Sequence, residues 1–213
     1  MKKFPENLRK EFQVFKKLNT PIKIQDFLDT IPMNFEKQSD TCRSPLEVLK
    51  RNEAHCFEGA MIAAAIFWYH GRKPLLLDLK TTDDDDSHVV ALFKEKNKWG
   101  AISKTNHAVL RYRDPLYRDP RELTMSYFNE YFLNKDGRKT LLSFSAPFDL
   151  SSTDNSWLTS KDGLWNIDNV LDKSPHYKII EKHKLKNLRL ADKIEVEAGK
   201  ITEWKDGKNK PEF

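Results

Sequence analysis

Cysteine is scarce in this chain: its 213 residues contain only Cys42 and Cys56. Two cysteines give no disulfide framework, and these two lack the CxxC spacing that is typical of a structural zinc site. Free thiols are normal in a reducing cytoplasm, so the sequence predicts a cytoplasmic protein. Neither a metal nor a cofactor is expected.

Long apolar runs and a strong charge excess are also missing. The longest apolar run, from Ala60 to Tyr69, is too short to span a bilayer. The first residues, MKKFPENLRKEF, contain no apolar stretch like that of a secretory leader. Lysine and arginine outnumber aspartate and glutamate by only 37 to 32, whereas a nucleic-acid binder more often has a basic stripe with interleaved aromatics. Neither a membrane nor a nucleic acid is therefore expected as a partner.

The first part of the chain contains several helix signals. Residues 6–18 place apolar side chains at helical spacing, which predicts an amphipathic helix. The Thr-Pro pair at 20–21 is typical of an N-cap followed by proline, and it predicts a helix that reaches about Leu28. The capping box S-P-L-E that starts at Ser44 predicts another helix over 45–51.

The middle of the chain predicts the core of the fold. Residues 56–70 are apolar nearly all round and are followed by Gly71, a pattern that is typical of a buried central helix. A further capping box at Asp119 predicts a helix through about Leu133. Four segments have the character of strands, with an E-K-N-K hairpin turn between the second and the third: 74–79, 88–94, 98–103 and 141–147. We expect an α+β fold with the central helix packed on an antiparallel sheet.

The chain divides into three predicted parts. An N-terminal helical segment covers 1–44, a core covers 45–147, and a C-terminal extension covers 148–213 and packs on the same domain. Near the end, the sequence DKIEVEAGKITEW alternates like a β-hairpin that turns at Ala198-Gly199. The last residues, KDGKNKPEF, are expected to form a frayed tail.

Cys56 and His88 are the best candidates for chemistry. Cys56 begins the predicted central helix, where unpaired backbone N–H groups and the helix dipole stabilise a thiolate. The thiolate is the reactive form of cysteine, and the same N–H groups can donate to an oxyanion. His88 begins a predicted strand, from which an imidazole could reach the thiol as a base. A third polar group would be needed to hold that ring in the correct tautomer.

The stretch from about Pro45 to Thr105 resembles the core of the transglutaminase-like superfamily, a branch of the papain-like cysteine enzymes. The matching features are Cys56 with Gly59-Ala60 three residues on, an apolar helix, a strand, and His88 followed by a strand that contains Trp99. The resemblance implies that Cys56 is the nucleophile, that His88 is the general base and acid, and that acyl transfer proceeds through a thioester. We expect hydrolysis of a peptide, protein or small amide substrate rather than transfer to an amine.

One position departs from the family's pattern. The family usually has an aspartate about fifteen residues after the histidine, and Ser103 stands there in this chain. Ser103 could accept the imidazole N–H, Asn106 could do so through its amide oxygen, or the third position could be vacant. Asn106 ranks slightly above Ser103, and Asp114 and Asp119 are distant alternatives. If the position is vacant, the chain would be a non-catalytic interaction module on the same fold.

Three further features can each be interpreted as structural or as functional. His55 directly precedes Cys56, but neighbouring helical side chains diverge, so a structural role is favoured. The loop Asp83–Asp86 is expected to be solvated, with a divalent-cation site or an amine filter as the alternative. The segment HAVLRYRDPLYRDPREL is expected to be a strand and turn whose arginines pair with its own aspartates, although these arginines could instead bind an acidic substrate group.

Overall fold

The computed structural model of the protein describes residues 2–205. The α-helices of this part are α1 (Pro21–Thr30), α2 (Pro45–Arg51), α3 (Cys56–Tyr69), α4 (Pro120–Tyr127), α5 (Trp165–Asp172) and α6 (Lys193–Gly199). The strands are β1 (Leu75–Lys80), β2 (His88–Glu95), β3 (Lys98–Ile102), β4 (Arg113–Tyr117), β5 (Ser143–Ser145), β6 (Phe148–Asp149) and β7 (His176–Lys178). Within residues 2–205, no helix combines the length and the apolar character that crossing a bilayer requires.

The strands form one antiparallel sheet in the order β4-β3-β2-β1-β5-β7, and β6 pairs with the beginning of β1. Strands β2 and β3 are joined by a tight turn in which Lys96 and Asn97 have positive φ angles of 46° and 62°. Positive φ at both central residues is the geometry of a type I′ hairpin turn, which matches the twist of the flanking strands. This turn fixes the register between β2 and β3, which brings the start of β2 close to the end of β3.

Helix α3 lies at the centre of the molecule against β2 and β1. From Phe57 to Trp68 every residue of the helix is buried, so the helix is covered by protein on all sides. The first turns of the chain cover it on one side through Phe12 and Phe15, and Trp157 stacks on Trp68. The opposite face of the sheet carries a second apolar cluster that includes Tyr127 and Tyr131. The predicted α+β class, with a central buried helix on an antiparallel sheet, is confirmed.

The helices that carry clear capping signals lie where they were predicted. The Thr20 side chain accepts a hydrogen bond from the backbone of Lys23 at the start of α1, and Ser44 and Asp119 cap α2 and α4 in the same way. Helix α4 is shorter than predicted, because the chain passes into a 3-10 turn over Phe128–Glu130.

The N-terminal helix predicted over 6–18 is wrong. Two short 3-10 turns, Glu6–Leu8 and Gln13–Lys17, take its place. The apolar spacing still reports burial, since Phe12 and Phe15 are fully buried. The segment buries these rings against α3 without completing a regular helix.

The predicted terminal β-hairpin is also wrong, because its first arm is helix α6. Asp192 and Glu195 form a capping box at the start of that helix, which favours a helix over an extended strand. Ile194 is 79% exposed, so the alternation of apolar residues does not mark a buried face. The predicted tail begins at Lys205, and the rest of it lies outside the described residues. Strands β6 and β7 of the extension belong to the same sheet as the core strands.

Candidate active site

Cys56 is the first residue of α3 and is partly exposed. The backbone N–H groups of a helix's first turn have no acceptor within the helix, and they present the positive end of the helix dipole. The imidazoles of His55 and His88 both act on the sulfur and lower its pKa. The predicted base, His88, is therefore accompanied by a second imidazole, that of His55.

His88 begins β2, and its ring is fixed by Ser103 at the end of β3. The distance from His88 Nε2 to Ser103 Oγ is 2.8 Å, and Ser103 Oγ donates to the backbone carbonyl of Leu110 at 2.5 Å. A hydroxyl has one hydrogen, and here Leu110 receives it, so Ser103 can only accept from His88. In the neutral ring the proton is thus on Nε2, which leaves Nδ1 free to take a proton from Cys56.

Ser103 is itself held by the side chain of Gln25 from α1. The Ser103 N–H donates to Gln25 Oε1 at 3.0 Å, and Gln25 Nε2 donates to the Ser103 carbonyl at 2.8 Å. The same Gln25 amide reaches Asp29 at 2.9 Å. Gln25 carries no signal in the sequence, because nothing in the local pattern of α1 indicates a contact with the end of β3.

Asn106 is engaged elsewhere. Its Nδ2 donates to the carbonyl of Trp204 at 3.0 Å, and its Oδ1 accepts from the Trp204 N–H at 2.7 Å. The hydrogen bonds thus favour Ser103 as the partner of His88, which reverses the predicted order of the two residues. Asp114 is an exposed residue of β4, and Asp119 caps α4.

The two thiols of the chain differ sharply in acidity. Burial raises the pKa of Cys56, but the hydrogen bonds and positive charge of His55 and His88 outweigh it and leave the pKa at about 5. Cys42 is buried beside carboxylates without such partners among its principal interactions, and its pKa is raised to about 12. The surroundings of Cys56 therefore favour its thiolate, and those of Cys42 favour its thiol.

His55 occupies the N-cap position of α3 and has its own polar partners. Its Nε2 lies 2.9 Å from the carbonyl of Thr41, 3.5 Å from Glu58 Oε1 and 3.7 Å from Glu36 Oε1. Burial lowers the pKa of His55, but the contact with Cys56 and the two nearby carboxylates outweigh it and raise the pKa to about 9. The structural role that was favoured for His55 from the sequence leaves out this contact with the thiol.

Glu58 is a fully buried carboxylate that joins the start of α3 to the loop 34–43. It accepts hydrogen bonds from Thr41 Oγ1 at 2.8 Å, from the Arg43 N–H at 3.0 Å and from the His55 N–H at 3.1 Å. Asn34 Nδ2 donates to it at 3.1 Å. A buried carboxylate with this many donors fixes the backbone around it.

Gly59 allows the end of β3 to approach the first turn of α3. A Cβ atom at position 59 would lie 2.3 Å from the Cβ of Lys104. Lys104 follows Ser103 directly, and its buried ammonium donates to the carbonyl of Leu28 at 3.1 Å. The absence of a side chain at position 59 therefore sets the separation between Cys56 and the residue that orients His88.

The acidic loop Asp83–Asp86 is held by basic residues. Asp83 pairs with Lys182, and Asp84 pairs with Arg138 and lies 3.5 Å from Lys135. Thr140 donates to Asp85 at 2.5 Å. In the described part of the chain, no group of three or more histidine, cysteine, aspartate or glutamate side chains could hold a metal ion.

Two arginines of the segment after His107 pair with glutamates from outside it, and Arg118 lies 3.2 Å from Glu122 of the segment itself. Arg111 lies 3.0 Å from Glu203, and Arg113 pairs with Glu130. The expected pairing of these arginines with the aspartates of their own segment is therefore wrong, although the predicted strand exists as β4.

A cavity of about 800 Å³ lies beside the loop that carries the partners of His55. Glu36 and Thr41, which both contact the His55 ring, are part of its wall. Its aromatic lining comes from Phe35, Trp165 and Trp204.

No protein-family model and no curated protein matches this chain. Among solved structures, Legionella pneumophila LapG (EGTA-treated) aligns with 80% of this chain and 91% of its own, at 11% sequence identity and a TM-score of 0.41. A similarity of this size is too low to carry any conclusion about activity.

Proposed function

We propose that the protein is a cysteine-dependent acyl-transfer enzyme that hydrolyses an amide or peptide bond through a thioester on Cys56. The observation that carries this proposal is the contact of the Cys56 sulfur with His88, whose ring is oriented by Ser103. The resemblance of residues 45–105 to the transglutaminase-like superfamily supports the same assignment. In this proposal Cys56 is the nucleophile, His88 the general acid and base, and Ser103 the orienting residue.

The reaction follows from the protonation states. The Cys56 thiolate attacks the carbonyl carbon, a C–S bond forms, and the π electrons move onto oxygen, where the Cys56 N–H can donate to them. Protonated His88 gives its proton to the amide nitrogen, the C–N bond breaks, and an amine leaves. Neutral His88 then takes a proton from water, the resulting hydroxide attacks the thioester, and the acid is released with restoration of the thiolate.

The missing acid is compatible with this scheme. A carboxylate at position 103 would stabilise a new positive charge on His88 as the serine triad requires. A thiolate–imidazolium pair already separates its charges before substrate binds. Ser103 is therefore required only to fix the tautomer, which it does as an acceptor.

The substrate is expected to lie along the exposed edge of Cys56. We expect it to approach from the cavity that Glu36 and Thr41 line, which offers exposed aromatic rings at Phe35 and Trp165. Peptides with apolar side chains next to the scissile bond would suit such a surface.

The test compares the wild-type protein with Cys56→Ala and Cys42→Ala on a library of peptide, amide and ester substrates. We expect hydrolysis by the wild type and by C42A, and loss of hydrolysis in C56A. Alkylation by iodoacetamide, followed for each cysteine by peptide mass spectrometry, should show a half-maximal rate at Cys56 near pH 5 because its pKa is about 5. Cys42 should remain unlabelled at neutral pH because its pKa is about 12.

A wild-type Cys56 that reacts at pH 6 no faster than an ordinary buried thiol would contradict the enzyme assignment. The protein would then be better described as a non-catalytic module on the same fold. The observation that supports this alternative is the uncharged residue at position 103.

A further inference from the structure

His55 makes a second imidazole contact with the nucleophile, and its surroundings differ from those of His88. From this arrangement we infer that His55 is a further catalytic residue: a standing imidazolium that holds Cys56 as a thiolate, while His88 carries the proton during the reaction. This inference rests on the proposed function, since it gives that site a second cation.

The geometry fixes the proton on one nitrogen of His55. Nε2 lies 2.9 Å from the Thr41 carbonyl, which can only accept, so Nε2 carries a hydrogen. Nδ1 is then the basic nitrogen of the ring, and a proton that it takes from Cys56 makes the ring a cation and the sulfur a thiolate.

Two carboxylates stabilise that cation. Glu58 and Glu36 lie 3.5 Å and 3.7 Å from His55 Nε2, and Glu58 is fully buried, where a charge–charge interaction is little screened. The pKa of His55, at about 9, agrees with this geometry, since the charges around the ring outweigh its burial.

The two histidines therefore differ in the group that contacts the ring on the side away from Cys56. Ser103 offers His88 a neutral acceptor, which fixes the tautomer but does little for a positive charge. Glu58 and Glu36 offer His55 negative charge. His88 thus has no carboxylate partner at position 103, whereas His55 has two, Glu58 and Glu36.

Charged and titratable groups also face the site from the other elements packed around it. From the loop 34–43, Arg43 lies 3.7 Å from Glu58 and 2.8 Å from Glu53, so it balances part of the negative charge. From α5, burial raises the pKa of Asp168, and the positive charge of His55 acts in the opposite direction. From the far face of the sheet, burial raises the pKa of Tyr131, so it stays neutral beside Cys56.

The test is the pH dependence of Cys56 alkylation in His55→Gln, followed by peptide mass spectrometry. Glutamine keeps a donor for the Thr41 carbonyl but carries no charge. We expect the half-maximal rate to move up by about two pH units and the rate at pH 6 to fall about 10-fold. His70→Gln is the matched control, because His70 lies at the other end of the same helix and its Nε2 contacts the carbonyl of Phe15 at 2.8 Å. The control should leave the alkylation profile unchanged.

Each outcome separates the inference from the proposed function. An unchanged midpoint in H55Q, with hydrolysis lost in C56A and His88→Gln, would overturn the role of His55 and leave the enzyme assignment standing. A raised midpoint in H55Q, with no hydrolysis by the wild type of any library substrate, would support the His55–Cys56 pair and count against the enzyme.

A second measurement applies if H55Q does not fold. The ring proton of His55 can be followed by NMR through a pH titration of the wild type and of C56A. We expect the midpoint near pH 9 in the wild type and a lower midpoint in C56A, because the thiolate has been removed. Equal midpoints in the two proteins would overturn the inference.

Discussion

At the scale of single residues, the hydroxyl hydrogen of Ser103 decides how His88 is oriented. The Ser103 hydroxyl hydrogen is directed at the Leu110 carbonyl, so the oxygen is available to His88 only as an acceptor. The serine therefore imitates one property of a carboxylate, its ability to accept from the ring, without its charge. It also explains why a carboxylate would not fit easily: the Leu110 carbonyl would face it with the wrong polarity.

Replacing Ser103 by alanine tests this orienting role. We expect kcat/KM for amide hydrolysis to fall about 10-fold to 100-fold, since one hydrogen bond that fixes the tautomer is worth about 1–3 kcal/mol. Alkylation of Cys56 at pH 6 should change much less, because the contact with His55 remains. Ser103→Asp should give no gain over S103A, as its carboxylate would oppose the Leu110 carbonyl.

Ser145→Ala is the matched control for this prediction. Ser145 is a fully buried serine of the same sheet, and its Oγ accepts a hydrogen bond from the Asp78 N–H at 2.9 Å. Its loss should lower thermal stability by an amount similar to S103A while leaving kcat/KM unchanged. Equal activity of S103A and S145A would show that Ser103 does not orient the base.

The sequence was sufficient to propose Cys56 and His88, because each begins an element with a strong local pattern, but it placed Ser103 behind Asn106. It was not sufficient for His55. Adjacent side chains diverge when both residues lie within a helix, whereas His55 is an N-cap with extended backbone, φ −94° and ψ −172°. From that conformation its ring can reach the sulfur of the next residue.

At the scale of elements, the site depends on how closely the end of β3 approaches α3. The contact between Gly59 and Lys104 sets that distance, and Gln25 of α1 holds the neighbouring Ser103 backbone from the other side. The sequence shows only that Gly59 follows Cys56 by three residues. The physical reason for a glycine there, the lack of space for a Cβ beside Lys104, is visible only when α3 and the end of β3 are packed together.

Gly59→Ala should therefore affect both stability and reactivity. The new methyl group would meet Lys104 Cβ at 2.3 Å, and overpacking of this kind costs about 1–3 kcal/mol in the free energy of unfolding. Because Lys104 follows Ser103, the displacement should also lower kcat/KM. The measurements are the urea midpoint and the hydrolysis rate.

Gly100→Ala serves as a comparison for this second effect. A Cβ at Gly100 would lie 2.4 Å from Phe93 Cζ and 2.7 Å from the Arg113 carbonyl, so it also destabilises the sheet. It faces Phe93 and Arg113 and does not contact α3 in this way. If G59A and G100A lose stability and activity in the same proportion, the close approach at Gly59 has no special part in the site.

The sequence identified elements that begin with a capping signal and was weaker where the chain has none. Helices α1, α2 and α4 each have a side-chain cap and proline in the first turn. The 3-10 turns before α1 and the short strands β6 and β7 are held by contacts with distant parts of the chain, which leave little periodic pattern. Helix α6 carries a capping box, and this signal predicts its start better than the short apolar alternation in the same stretch.

At the scale of the whole molecule, one sheet unites the parts into which the sequence was divided. Strands β6 and β7 extend the sheet of the core. The chain near its described end also returns to the site: the Glu203 N–H donates to the Asn106 carbonyl at 2.7 Å, and the Ala108 N–H donates to the Ile201 carbonyl at 3.1 Å. These bonds lie between Ser103 and Leu110, and thus brace the segment that orients His88.

This arrangement gives Asn106 a structural role that can be measured. Asn106→Ala removes two hydrogen bonds to the Trp204 backbone and leaves buried backbone groups without partners, at a cost of about 1–3 kcal/mol in the free energy of unfolding. Because the extension and the core share one sheet, we expect a single unfolding transition in urea, with far-UV circular dichroism and tryptophan fluorescence coinciding, and with its midpoint lowered in N106A.

The comparison for N106A is Asn169→Ala, in which an exposed asparagine of α5 loses its bond to the Trp165 carbonyl, 2.7 Å long. That change should move the urea midpoint little, because water can replace the bond. If Asn106 instead oriented His88, N106A would lose hydrolysis far beyond its loss of stability, and S103A would not. Two separate urea transitions, with only one of them shifted by N106A, would show that residues 148–205 fold independently of the sheet that holds Cys56 and His88.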